Sequence, residues 1–256
     1  MSKSAATLYF HGIPGSRAEL TLFGQWPKSN VAIPFVPERG STVGEQDAVQ
    51  YFEHMADKIT VRYFGRKIRI IGFSLGACAA LQVASRLGDQ VTSIDLISAA
   101  APLNTGNYLP NMAGRLVFEL ARKRPTAFRA LVKMQSVMAR LSPNILYDRI
   151  FATARGDDAV LKTNPDFKQA MLAIFGDCLV ADTSAYRQEI GFYIQDWSAI
   201  PALVKQPVTL WHGNKDNWSP PDMAVALSRS LGGSTQINWI EGASHYSTLR
   251  AFFEQL

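Results

Sequence analysis

Gly72-Phe73-Ser74-Leu75-Gly76 is a G-x-S-x-G sequence, set between the apolar run Lys67 to Ile71 and a helical segment that begins near Leu75. A serine on a tight strand-to-helix turn is held in a strained backbone conformation with its hydroxyl above the sheet edge. Its flanking positions must be glycine, because a Cβ there collides with the neighbouring strand and helix. The N-terminus of the next helix offers unpaired N–H groups and a partial positive charge, which suits the negative charge that develops on an attacked carbonyl oxygen. The backbone N–H of Leu75 is therefore the first candidate oxyanion donor. The second stands in His11-Gly12-Ile13-Pro14-Gly15-Ser16, a glycine-rich turn whose backbone is free to aim the Ile13 N–H at the same point. The plainer reading of that stretch, a turn in which Ser16 caps the next helix, is compatible with this one.

A serine hydroxyl is a poor nucleophile at neutral pH and needs a base, for which the pKa of histidine is suited. Four histidines compete. His11 belongs to the glycine-rich turn, His54 lies in a helical stretch with Phe52 and Met55, and His212 ends a strand before Gly213, a place suited to bracing loops. His245, in Gly242-Ala243-Ser244-His245 between the last strand and the C-terminal helix, is the candidate base, since a glycine-containing loop there reaches over the strand ends. Asp216, in the loop Trp211 to Asp216 that leaves the preceding strand, is the candidate acid to fix the tautomer of that base. Its ordinary alternative is a turn residue, and Asp95, mid-strand in Ile94-Asp95-Leu96, is the second candidate acid.

The elements that must bring these side chains together are legible from periodicity. Short β-branched and aromatic runs alternate with helix-period segments, the signature of parallel βαβ units. Strands are expected near Thr7 to His11, Val31 to Val36, Lys67 to Phe73, Thr92 to Ile97, Pro207 to His212 and Gln236 to Ile240. Helix starts are expected at the capping-box patterns Ser16-Arg17-Ala18-Glu19 and Thr42-Val43-Gly44-Glu45, and Gly88 is a candidate left-handed cap. From Asn104 to Ala199 the strand rhythm is replaced by helical patterns broken at Pro110, Pro125, Pro143 and Pro165. Within it, Phe128, Leu131, Met134, Met138 and Leu141 are expected to share a core-facing side, with Arg129, Lys133, Ser136 and Arg140 on the wet side.

These residues together resemble the α/β-hydrolase fold superfamily, over residues 6 to 103 and 205 to 256. The turn Gly12 to Gly15 is similar to that family's H-G-x-P-G turn, Ser74 to its nucleophile elbow, Gly213 to Asp216 to its G-x-x-D loop, and His245 to its last histidine. The order Ser, Asp, His agrees as well. The resemblance implies an α/β fold with a mostly parallel six-stranded sheet, helices on both faces and an inserted helical cap. Residues 1–103 and 200–256 would form the core and 104–199 the cap. It implies hydrolysis of a carboxylic ester or thioester through an acyl-enzyme, with Ser74 as nucleophile, His245 as base then acid, Asp216 as its orienter, and the N–H groups of Ile13 and Leu75 as oxyanion hole. The resemblance starts at the family's third strand, so the expectation is a core of six strands without the usual first hairpin. A serine at position 74, where haloalkane dehalogenases have aspartate, argues against that chemistry. Cofactor-free haloperoxidases share the triad.

The cap position implied by the resemblance makes Met112, Phe118, Phe128, Met134, Met138, Phe175 and Phe192 candidates for lining an acyl pocket, with packing of the helices on one another as the alternative. Between Arg115 and Arg140 seven basic residues face one acid, Glu119, a surface suited to an anionic carrier or headgroup if it is more than a solvated face. The 256 residues and 47% hydrophobic content suit one sizeable core, and a net charge of +5 does not require nucleic acid. Two cysteines, Cys78 and Cys178, exclude a disulfide-stapled scaffold, and no run of about 18 apolar residues or signal-peptide pattern is present, so a cytoplasmic, non-transmembrane protein is expected. No metal-ligand spacing and no nucleotide cradle occurs, so no cofactor is expected. The rival readings keep the triad but cleave an amide, lactone or carbon-carbon bond, or give up catalysis for ligand binding on the same fold. A receptor would have no need of all three triad residues.

Overall fold

The computed structural model describes residues 5–24, 33–38 and 47–256. Its centre is a sheet of five parallel strands in the order β1 (Ala6–Phe10), β2 (Ile68–Phe73), β3 (Val91–Ile97), β4 (Val208–Gly213) and β5 (Thr235–Ile240). Among the described residues, α1 (Ala48–Arg62) lies between β1 and β2 and α2 (Gly76–Leu87) between β2 and β3. Between β3 and β4 come α3 (Arg115–Lys123), α4 (Pro125–Leu141), α5 (Pro143–Ile150), α6 (Asp158–Leu161), α7 (Pro165–Phe175), a π-helical turn Gly176–Ala181, α8 (Thr183–Tyr193) and α9 (Ile200–Leu203). The chain closes with α10 (Pro221–Ser230), β5 and α11 (His245–Glu254).

Both faces of the sheet are covered, which is why its central strands read as nearly unbroken apolar runs. In β2, Gly72 faces α2: a Cβ there would stand 2.9 Å from Ala80 Cβ. The next residue, Phe73, faces the other way and meets Tyr246 of α11 at 5.4 Å between ring centroids. The small residues of α2, Ala77, Ala80 and Ala84, are fully buried and let that helix lie close on β1, β2 and β3. Because all strands are parallel, their C-terminal ends share one edge, and the loops that leave it carry His11 to Ser16, Ser74, Asn214 to Ser219 and Gly242 to Ser244.

Among the described residues five strands stand where six were expected. The run Val31 to Val36 is reduced, among its described residues, to a parallel bridge between Phe35 and Leu8, with Phe35 donating to Thr7 O and accepting from Tyr9 N, each at 2.9 Å. The next donor in that ladder would come from residue 37, which is proline and has no N–H, so the pairing stops. The helix expected to start at Thr42 begins at Ala48 instead, capped by Asp47, whose carboxylate accepts from Gln50 N at 2.8 Å; the pattern Thr42 to Glu45 lies outside the described residues. Ser16 does cap a helix, the short 3-10 turn Arg17–Thr21, by accepting from Ala18 N. Glu19 does not complete a capping box. Its buried carboxylate accepts instead from Gly12 N and from Tyr9 Oη.

Prolines 125, 143 and 165 each sit in the first turn of a helix, where a missing N–H costs nothing. The face of α4 is turned from the expected one. Phe128, Val132 and Ala139 are its buried residues, while Met134 is 51% and Leu141 74% exposed. Steps of three residues fall about 60° short of a full turn, so the series 128, 131, 134 drifts off the buried stripe that 128, 132 and 139 hold. Among the described residues no helix is long and apolar enough to cross a membrane, and Cys78 and Cys178 are unbridged.

Candidate active site

Ser74 is one of two non-glycine residues in the described chain with positive φ (+56°), and it stands between the end of β2 and the start of α2. Left-handed backbone costs a residue with a Cβ about 1–2 kcal/mol, and the surroundings hold it: Ser74 N donates to Ile97 O at 2.9 Å, and Ser74 O accepts from Ala77 N and Ala100 N. The glycine at 76 answers a hard constraint, since a Cβ there would lie 2.2 Å from Phe10 O and 2.4 Å from His11 O. Gly12, from the turn after β1, also lies near the serine, less tightly than Gly76. Its Cβ would meet Ser74 Cβ at 3.2 Å and the Phe73 ring at 3.0 Å. The backbone at Gly12 thus lies against the serine, anchored by Gly12 N on the Glu19 carboxylate, with Ile13 next in the chain. Among the described residues neither Ile13 N nor Leu75 N donates to a backbone carbonyl.

The loops after β4 and β5 are laced to each other. Lys215 N donates to Ala243 O at 3.0 Å, Gly242 N to Asn214 Oδ1 at 3.0 Å and Ser244 Oγ to Lys215 O at 3.3 Å. Gly213 has no room for a side chain, whose Cβ would fall 2.3 Å from Ala243 O. This contact brings Asp216 and His245 together: Nδ1 of His245 bonds Asp216 Oδ2 at 2.9 Å, both side chains being buried. The other carboxylate oxygen accepts from Trp218 N at 2.8 Å and Ser219 N at 2.9 Å. Burial alone would raise the Asp216 carboxyl. The charge and hydrogen bond of His245, the charge of His212 and the Ser219 N–H outweigh it and hold the group below its usual range.

With Nδ1 on the carboxylate, Nε2 is left on the far side of the ring. The imidazole stacks on Trp218 (5.6 Å, 20°) and touches Phe73, the neighbour of Ser74, at 4.9 Å between centroids. Its backbone carbonyl accepts from Ser98 Oγ at 3.0 Å; Ser98, at the end of β3, is the other residue with positive φ. Among the described residues Ser74 Oγ makes no hydrogen bond, and the contact that brings the imidazole to the serine's turn is the one with Phe73.

The other candidates fall out differently. Asp95 is engaged elsewhere, accepting from both Nε and a terminal nitrogen of Arg69 at 2.8 Å and from Trp211 Nε1 at 3.1 Å. His54 is exposed, and His11 bonds Gly12 O through Nδ1. His212 is fully buried with Nε2 2.8 Å from Ser219 O, which braces the Asp216 loop; burial depresses its pKa against the pull of the nearby Asp216 charge. Burial pushes the Cys178 thiol up to about 12, so it holds little thiolate at neutral pH and is no rival nucleophile.

Of the seven pocket candidates, Met112, Phe118, Phe128, Phe175 and Phe192 are buried in the main core and Met138 is partly buried against it, while Met134 faces water because of the turned face of α4. Phe192 packs on Tyr51 and Phe52 of α1, and Phe118 on Tyr193. Two cavities of about 540 and 640 Å³ border other residues; the larger, beside the His11 turn, is lined by Gly15, Ser16, Phe35, Met55, Arg62 and Cys178 among others. One feature of the site escaped the sequence reading: the carboxylate of Asp158, in α6, sits on the N-terminus of α11 directly after His245, accepting from Tyr246 N at 3.0 Å and Ser247 N at 2.7 Å. Only its place in the turn Arg155-Gly156-Asp157-Asp158 marked it, and no local pattern links that turn to a helix 88 residues on.

No protein-family model matches the sequence, and no curated protein matches it. Solved structures do. An esterase from Exiguobacterium antarcticum is 14% identical with a TM-score of 0.60, over 100% of this chain and 91% of that one. A bromoperoxidase from Bacillus anthracis is 12% identical with a TM-score of 0.60, over 99% and 90%. An enol-lactonase from Burkholderia xenovorans LB400 is 14% identical with a TM-score of 0.58, over 99% and 90%. With its parallel sheet, its strand-to-helix turn at Ser74 and these structural relatives, the chain has the α/β-hydrolase fold.

Proposed function

We propose that the protein is a serine hydrolase that cleaves a carboxylic ester or thioester through an acyl-enzyme. The observation that carries this reading is the buried 2.9 Å contact of His245 Nδ1 with Asp216, its ring packed on Phe73, the residue before a serine in left-handed conformation at a helix N-terminus. Asp216 holds the proton on Nδ1, leaving the Nε2 lone pair to take the proton of Ser74 as its oxygen attacks the carbonyl carbon. The carbonyl oxygen becomes an oxyanion, stabilised by the N–H groups of Ile13 and Leu75 and the positive end of α2. Collapse breaks the bond to the leaving alcohol or thiol, which takes the proton from Nε2. Water then repeats the cycle on the acyl-serine, with His245 as base and then acid, and releases the carboxylic acid.

In this reading residues 104–199 form a cap over the strand ends. It is supported by Ala113 N on Asn217 O at 2.7 Å, Asn217 Nδ2 on Thr153 O at 2.8 Å and Tyr193 Oη on Ala101 O at 2.9 Å, all from that stretch to the core. Arg122, Lys123, Arg124, Arg129, Lys133 and Arg140 are exposed, and Glu119 is paired with Arg115, a surface that favours an anionic portion on the leaving group.

The test is a fluorophosphonate probe together with p-nitrophenyl esters of graded acyl length. Labelling at Ser74, lost in Ser74→Ala along with turnover, is the expected result; a folded protein that neither labels nor turns over any ester refutes the reading.

A further inference from the structure

Asp158 is a buried carboxylate that the acyl transfer does not consume. Its two oxygens accept from Tyr246 N at 3.0 Å, Ser247 N at 2.7 Å and Ser247 Oγ at 2.6 Å, and Ser247 Oγ in turn accepts from Ser244 N at 2.8 Å. The residue thus supplies acceptors to the first turn of α11, the helix whose first residue is His245. Its neighbours grip the same loops. Asp157 N donates to Gly242 O at 2.9 Å, and Gly156, at φ +50°, lies so close to that carbonyl that a Cβ would be 2.2 Å from it. Thr153 O accepts from Asn217, next to Asp216.

We infer that Asp158 is a positioning residue for the base: held by the segment 153–158, it clamps the N-terminus of α11 and so fixes the imidazole of His245 between Asp216 and Ser74. The inference rests on the serine-hydrolase reading for its catalytic consequence, though not for its geometry. The physical need is plain. His245 is fixed by Asp216 at Nδ1 and by Ser98 at its carbonyl, but the next two residues begin a helix whose leading N–H groups have no partner inside the helix. Burial pushes the Asp158 carboxyl above its usual range, against the pull of its hydrogen bonds from Ser247 and Tyr246, and it is those hydrogen bonds that hold the start of the helix. The three long-range contacts make the acyl-transfer machinery depend on a segment outside the sheet.

The test uses the full chain with Asp158→Ala and Asp158→Asn, measured for kcat and KM on a p-nitrophenyl ester, for thermal unfolding, and for the downfield Nδ1 proton of His245 by NMR. A misplaced base costs about a hundredfold in rate. Asp158→Ala is expected to lower kcat by about that factor with KM within about twofold, and to lose or broaden the downfield proton. Asp158→Asn keeps an acceptor for Ser247 N and is expected to fall between, about tenfold below the parent, with the proton retained. A folded Asp158→Ala protein with the parent's kcat and downfield proton overturns the inference, as does a change in KM alone. Should the alanine variant not fold, Asp158→Asn decides, and parental kcat, pH profile and downfield proton overturn the inference. The NMR signal needs no substrate: if the parent neither labels nor turns over esters, the hydrolase reading fails while loss of the proton in Asp158→Ala still upholds the clamp.

Discussion

On the proposed mechanism Asp216 separates catalysis from stability, because its two oxygens have different partners. Oδ2 faces the imidazole at 2.9 Å, and Oδ1 holds Trp218 N and Ser219 N at 2.8 and 2.9 Å. Asp216→Asn keeps Oδ1 on both backbone N–H groups but turns an NH₂ toward His245. The imidazole must then offer a lone pair at Nδ1 and carry its proton on Nε2, where it has no acceptor left for the serine proton. Restoring the productive tautomer sets two donors face to face, about 1–3 kcal/mol for each unmatched group. The lost charge adds to this: at 2.9 Å and an effective dielectric near 20 the carboxylate would stabilise an imidazolium by up to about 6 kcal/mol, most of which dispersed dipoles replace. A net of about 4–6 kcal/mol corresponds to a fall in kcat of roughly three to four orders of magnitude. Unfolding should move little. Asp216→Ala, by contrast, strips both backbone N–H groups of their acceptor and is expected to lower stability by about 2–6 kcal/mol. Steady-state kinetics on p-nitrophenyl esters and urea unfolding of both variants check this. An Asn variant within tenfold of the parent in kcat refutes the assignment of roles, and an Asn variant as unstable as Ala refutes the division between the two oxygens.

Asp95→Asn should leave kcat within about twofold while lowering stability by about 1–3 kcal/mol, because it weakens the Arg69 and Trp211 contacts far from the imidazole; a large loss of kcat in a stable protein would reinstate it as the acid. Gly76→Ala places a methyl 2.2 Å from Phe10 O, on backbone that cannot yield, and should cost more than about 4 kcal/mol; soluble protein with a near-parental urea midpoint would contradict the close approach. His212 sets an acid limit on stability. Burial depresses its pKa, so between its folded value and about 6.5 the unfolded chain takes up a proton that the folded chain refuses, and stability falls as pH drops through that window, with no contribution above it. His212→Gln, which keeps a donor for Ser219 O, should flatten the unfolding temperature against pH below about 6.5, and an unchanged slope would refute the account.

Local chemistry made most of the core legible. The runs at Lys67 to Phe73 and Pro207 to His212 became β2 and β4 because nearly every side chain is buried from both sides, and the two glycines around Ser74 are dictated by contacts that leave no choice of residue. The parallel order of the sheet then put Ser74, the Asp216 loop and the His245 loop on one edge without further information. What failed to show were long-range matters. Pro37 ended the pairing of Phe35 through an N–H that only a neighbouring strand would have used, and Glu19, an apparent half of a capping box, went to Gly12 and Tyr9 because they lay within reach of a buried carboxylate. Asp158 belongs with these. A capping residue can be read in sequence when it precedes its own helix, as Asp47 does for α1, but nothing in Arg155 to Asp158 announces that its carboxylate will end a different helix. The residues proposed to perform chemistry were therefore recognisable as candidates by type and spacing, whereas those that hold them in place were not. Their identity is set by which loop the folded sheet brings within 3 Å, a quantity that exists only once the chain is closed.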